Sequence, residues 1–154
     1  MSEIEIYTDG GSHGNPGPGG WAFVSRIDGE LHERRGGEED TTNNRMELQA
    51  VIEALRFAKR EGHCDRGPVH IYTASQYVQR GMTEWMKRWV ANGWQTANKK
   101  PVRNKELWME LRSLASECEV QWHWVRGHAG SELNERSDAL VQEAIAAIET
   151  NGSS

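Results

Sequence analysis

The chain has 154 residues, enough for one compact domain with a single core and short for two. A net charge of −5 argues against a generally basic nucleic-acid binder, and seven tryptophans supply apolar surface that a disordered chain would lack. No run reaches the length of a membrane span, and Met1-Ser-Glu-Ile-Glu-Ile6 has neither the basic nor the apolar region of a signal peptide, so a soluble cytoplasmic protein is expected.

Glu3-Ile-Glu-Ile-Tyr-Thr8 alternates polar and apolar residues, the period of a half-buried strand, and places Asp9 at the strand's end before Gly10-Gly11. Gly14-Asn-Pro-Gly-Pro-Gly-Gly20 is read as an irregular turn, after which Trp21-Ala-Phe-Val24 resumes a strand. A third strand is expected over Leu31 to Arg35, beyond a turn at Asp28-Gly29. From Asn43 the period becomes helical, with Leu48, Ile52 and Leu55 on one stripe, Glu47 near the start and Gly62 as the stop. Val69-His-Ile-Tyr-Thr73 predicts a fourth strand ending at Ala74, and helical spacing restarts at Gln76. Trp85 and Trp89 stand one helical turn apart, Gly93 closes that helix, and another suits Asn104 to Cys118. Val120 to Val125 predicts a fifth strand and Glu132 to Ile148 a last amphipathic helix, with a disordered tail over residues 150–154. The order predicts one α/β domain over residues 1–149 in which helices cover a sheet. Cys64 and Cys118 show no paired spacing and are expected to be plain thiols.

Several residues carry two readings. The Gly14 to Gly20 segment could cradle a phosphate, yet it lacks the Gly-Lys-Ser/Thr ending and leads into a strand, which favours a hairpin. Asp9 is either a metal ligand or a turn residue, Glu47 a ligand or a complement to the helix dipole, and Asp138 a ligand or a solvated acid. His128, in Gly127-His-Ala-Gly130, suits a proton carrier and equally a surface turn. Between Arg80 and Lys105 the charge reverses, with seven basic residues against the single acid Glu84. That stretch is either a nucleic-acid surface or a helix whose tryptophans serve the core. Spacing alone does not bring Asp9, Glu47 and Asp138 together.

Six stretches together resemble type 1 ribonuclease H: Tyr7-Thr-Asp-Gly-Gly11, Gly14 to Gly20, Thr41-Thr-Asn-Asn-Arg-Met-Glu-Leu48, Ser75-Gln-Tyr-Val78, Lys99-Lys-Pro-Val-Arg-Asn104, and Trp124-Val-Arg-Gly-His-Ala-Gly130 with Asn134-Glu-Arg136. The resemblance spans Glu3 to Ala147 in order. It implies a five-stranded mixed sheet, three strands antiparallel and two more parallel, flanked by helices. It also implies an endonuclease that cuts the RNA strand of RNA–DNA hybrids, leaving 5′-phosphates, as a monomer. Asp9, Glu47 and Asp138 would hold two Mg2+ ions, with Mn2+ as a possible substitute. Asp9 would bridge the ions, Asp138 serve the nucleophile side, Glu47 the leaving-group side, and His128 proton transfer or product release. Asn15, Asn43, Asn44 and Gln76 match substrate-contacting positions. Trp85, Lys87, Arg88, Trp89, Lys99 and Lys100 match a basic protrusion that grips the DNA strand. Contacts to backbone and 2′-hydroxyls imply weak dependence on base sequence.

Position 74 departs from the pattern: Ala74 stands where the family has a fourth carboxylate, counted both as a catalytic position and as a lost metal ligand. A methyl group binds no cation, so severely reduced activity is expected, and an isolated loss amid intact motifs reads as an inactivating substitution. The rival reading is a hybrid-binding module that does not cleave. A transposase or integrase core fits less well, because the Gly14 to Gly20 and Asn43-Asn44 stretches resemble ribonuclease H specifically.

Overall fold

The structure, a computed structural model, describes residues 3–125 and 132–152. Five strands form one sheet in the order β3-β2-β1-β4-β5. β1 (Ile4–Ser12), β2 (Gly17–Ile27) and β3 (Glu30–Thr41) are antiparallel neighbours. β4 (Val69–Thr73) and β5 (Val120–Trp124) add in parallel on the other side of β1. The fold class is the one that the resemblance implied.

Strand alternation sorts the two faces. Ile4, Ile6 and Thr8 of β1 point to the larger core, which also takes Phe23, Ile71 and the buried stripe of α1 (Asn43–Arg60). Thr42 caps α1 by accepting from the Arg45 N–H at 3.2 Å, and Gly62 follows its end at φ 77°. Trp108 of α4 (Lys105–Glu117) is fully buried in the same core, and its indole N–H donates to Tyr77 Oη at 3.0 Å. A buried indole needs such a partner. On the opposite face α5 (Glu132–Gly152) buries Leu133, Leu140, Val141 and Ile145 against Ala22 and Val24.

Four expectations are corrected. Gly17 to Gly20 is not a turn but the start of β2, because these glycines serve close approach. A Cβ at Gly20 would stand 3.0 Å from both Ala144 Cβ and Val141 O, so the missing side chain lets α5 settle on the sheet. β3 outruns Leu31 to Arg35 for the same reason, since the lengthened β2 pairs it from Glu30 to Thr41. The helix begun at Gln76 is interrupted: α2 (Gln76–Arg80), a π-helical turn (Gly81–Trp85) and α3 (Met86–Ala91) follow in succession. α5 runs on through Gly152, past the expected stop at Ile148 and into the segment read as a disordered tail.

A fifth correction concerns the cysteines. Cys64, in the short turn after α1, and Cys118, at the end of α4, are joined as a disulfide with their Cα atoms 4.6 Å apart. The reading as separate thiols failed because the two helix ends lie side by side in space while their cysteines are 54 residues apart in sequence.

Candidate active site

Asp9 lies near the carboxyl end of β1, half-buried and paired in register with Ala22. The next residue brings the second acid close. A Cβ on Gly10 would overlap the Met46 backbone, so only glycine lets the first turn of α1 rest on β1 and carry Glu47 towards Asp9. From the other face, α5 delivers Asp138, whose carboxyl shares a hydrogen bond with that of Asp9. Asp9 and Asp138 thus meet, with Glu47 near enough to act on Asp9 through its charge.

Burial, the carboxylate of Asp138 and, least, that of Glu47 push Asp9 up to about 7 from 3.8. Burial also raises Glu47, against the lowering effect of its hydrogen bonds. Ser75 Oγ donates to Glu47 Oε2 at 2.5 Å and Asn43 Nδ2 donates to Oε1 at 3.1 Å, so both oxygens are held by neutral donors. Ser75 also caps α2, accepting from the Val78 N–H at 3.1 Å.

Ala74 is exposed just after β4, two residues beyond Tyr72, as Asp9 is two residues beyond its register partner Tyr7. Its methyl offers no donor at the place where a fourth acid was expected. His128 lies outside the described residues. Among the described residues no three of His, Cys, Asp and Glu stand close enough to share one ion. The donor chemistry nevertheless suits a hard divalent cation: oxygen ligands only, and acids crowded so closely that one retains its proton near neutrality.

The expected substrate contacts fall in two places. Asn15, Asn43 and Asn44 line a cleft of about 470 Å³ with Thr42, Arg103 and Asn104, and Asn15 Oδ1 accepts the Asn43 N–H at 2.9 Å. Gln76 is exposed at the start of α2, next to Ser75. Trp85, Arg88 and Trp89 line a second hollow of about 350 Å³ with Asn92, Gln95, Thr96 and Ala97. Lys87, Lys99 and Lys100 are exposed on the same segment. The core reading of the tryptophans holds in part, since Trp89 packs on the buried Trp108 with ring centres 5.2 Å apart, while it also lines the hollow. The sequence alone assigns Ser75 and Asn104 no role in the site, and Arg103 only a place in the basic stretch. A serine immediately before a helical run is a capping signal, and it would have drawn attention to Ser75.

This sheet order, with helices on both faces and carboxylates meeting near the carboxyl end of β1, defines a protein of ribonuclease H-like fold. The family model for RNase H matches residues 1–146. Ribonuclease H of Cupriavidus metallidurans is 54% identical over 150 residues, covering 97% of this chain and all of the relative. Ribonuclease H of Paramagnetospirillum magneticum is 53% identical over 143 residues, covering 93% of this chain and 90% of the relative. Among solved structures, LC9-RNase H1, described as a type 1 RNase H with the type 2 active-site motif, superposes with a TM-score of 0.79 at 33% identity, over 96% of this chain and 74% of that one. LC11-RNase H1 in complex with RNA/DNA hybrid superposes with a TM-score of 0.71 at 30% identity, over 94% of this chain and 98% of that one. The chain belongs to the RNase H family, whose members are nucleases that use divalent metal ions.

Proposed function

We propose that this is an RNase H endonuclease domain for the RNA strand of RNA–DNA hybrids, disabled in this chain at position 74. The observation that carries the reading is the meeting of Asp9 and Asp138 beside Glu47 near the carboxyl end of β1, in a member of that family. Asp9, Glu47 and Asp138 would hold the cations, Mg2+ by the hardness of their oxygens. Such ions, when bound as a pair, supply charge that activates water and stabilises a leaving oxygen.

The chain's own groups do the rest. Asn15, Asn43 and Asn44 along the cleft, and Gln76 at the start of α2, offer amides that can donate to and accept from 2′-hydroxyls, which only the RNA strand carries. Lys87, Arg88, Lys99 and Lys100 would neutralise phosphates of the DNA strand, with Trp85 and Trp89 against its sugars. A monomer in the cytoplasm would suffice, with His128 assisting proton transfer or product release.

Losing one carboxylate ligand removes transition-state stabilisation, and a loss of about 4 kcal/mol would slow cleavage about a thousandfold. The test is cleavage of a labelled hybrid with Mg2+ by this chain and by Ala74→Asp, with single-stranded RNA and duplex DNA as controls. Cleavage of the hybrid's RNA strand by Ala74→Asp alone is the expected result. Tight hybrid binding without cleavage by either protein would replace this reading with the non-cleaving binder, which Ala74 favours.

A further inference from the structure

We propose that His13 is a positioning residue for hybrid binding: it ties the loop that carries Asn15 to α5, and the tie weakens as His13 loses its proton. The inference rests on the hybrid reading above. Residues 13–16 join β1 to β2 and are all exposed, so no buried side chain fixes their position and polar ties must do so. On one side Asn15 Oδ1 accepts the Asn43 N–H at 2.9 Å and stands 3.0 Å from Ser12 Oγ. The carbonyl end of that amide is therefore taken up at the first turn of α1, and its Nδ2 group is the donor left for a ligand. The His13 N–H adds a bond to Pro18 O at 2.8 Å.

On the other side the His13 ring reaches α5. Its Nδ1 lies 2.6 Å from Glu149 Oε1 and its Nε2 lies 3.2 Å from Gln142 Oε1. Gln142 stands one helical turn beyond Asp138, so the tie sets the loop carrying Asn15 against the helix that delivers a carboxylate to the site. An amide for substrate and an acid for the cation are thereby held in one frame.

Both partners of the ring are oxygens. Two ring N–H groups satisfy both, and only the imidazolium has two. A neutral ring must give up one bond or wait for the Gln142 amide to turn over. The hydrogen bond to Glu149, and after it the one to Gln142, raise His13 above its ordinary 6.5. The tie is thus complete below that ordinary value and fades as pH climbs through the raised one. Glu149 is the charged group that acts on His13 among the described residues, and Ser12 and the loop from Gly14 to Pro18 carry no charge. The two side chains are 50% and 47% exposed, so water and salt screen the pair and its effect on affinity is a modest factor.

Nuclear magnetic resonance reads the tie on the full chain without nucleic acid. Between about pH 5.5 and about 8.5 the Asn15 side-chain amide signals should move with the midpoint of the His13 ring. The movement should shrink, at a lower midpoint, in Glu149→Gln and vanish in His13→Arg, whose donors stay charged throughout. Binding of a labelled RNA–DNA hybrid at fixed Mg2+ and salt should weaken over that range roughly two- to fivefold more in the parent than in His13→Arg. Measured against His13→Arg, His13→Ala should bind more weakly by that same factor at both ends of the range. Asn15 signals that ignore the His13 midpoint overturn the proposal. So does an excess pH dependence of binding that is undiminished in Glu149→Gln. Failure of every form to bind hybrid would overturn the functional reading on which the affinity claim rests, while the Asn15 signals would still decide the tie.

Discussion

Replacing Asp9 with Asn should stabilise the cation-free protein, and should do so increasingly as pH rises. In the folded chain Asp9 titrates near 7 because it is buried and shares its hydrogen bond with Asp138, while an unfolded aspartate titrates near 3.8. Between those values folding takes up a proton. The contribution of this group is therefore fully present below about pH 4 and is lost as pH climbs through 7. A displacement of about three units corresponds to about 4 kcal/mol at 1.36 kcal/mol per unit, a ceiling because the proton is shared between two carboxyls. A working figure is 2–4 kcal/mol, or roughly 5–15 °C in melting midpoint at pH 8.

The assay is thermal unfolding of both proteins in EDTA from pH 4.5 to 8. Asn is nearly isosteric and uncharged, so the two curves should lie close together at the acid end and diverge towards pH 8, with Asp9→Asn the more stable. Parallel curves across that range would sink the argument, because they would mean that neither burial nor the Asp138 carboxylate raises Asp9 in the folded state.

Gly10→Ala forces a Cβ onto the Met46 backbone, which cannot yield without shifting α1, so the urea midpoint should fall by the equivalent of at least about 2 kcal/mol. A change under 0.5 kcal/mol would contradict the close approach. Ser75→Ala removes both the cap of α2 and a donor to Glu47, and should cost about 1–2 kcal/mol in the same measurement. Ser75→Thr, which keeps the hydroxyl, should recover most of it. Reduction of Cys64–Cys118, which closes a loop spanning 54 residues of sequence, should cost about 2–4 kcal/mol. Two thiols titrating in the denatured chain before any reductant is added would rule that bond out.

What the sequence made legible is what repeats locally. Ile4, Ile6 and Thr8 alternate as a strand must, and Leu48, Ile52 and Leu55 recur as a helix must, so β1 and α1 were placed from pattern alone. Gly17 to Gly20 misled for a physical reason: the residue that breaks strands is also the residue that lets a helix approach one, and only the position of α5 separates the two roles. The site was legible as residue types and not as geometry. Asp9 and Asp138 lie on elements at opposite ends of the chain, and they meet because Gly20 admits α5 to the sheet from one face. Glu47 comes near through Gly10 on the other face. The link from Ser75 to Glu47 joins a helix cap to a helix interior, a pairing that no single periodicity contains. The cysteines are the same case, adjacent only once α1 and α4 have packed.

The remaining question is what Ala74 does to the fold, and the crowding of the acids answers it. Burial and the Asp138 carboxyl already push Asp9 up to about 7, against the lowering effect of the Gly10 N–H. A further carboxylate at position 74, two residues beyond the Tyr7–Tyr72 pairing, would add like charge beside it without adding a donor. In EDTA at pH 8, Ala74→Asp should therefore melt at or below the temperature of this chain. Added Mg2+ should reverse the order, because binding to the folded state stabilises it in proportion to occupancy, and the restored ligand raises occupancy. A midpoint for Ala74→Asp clearly above that of this chain in EDTA would refute the repulsion. An equal Mg2+ response in the two proteins would instead mean that position 74 never touches the ion.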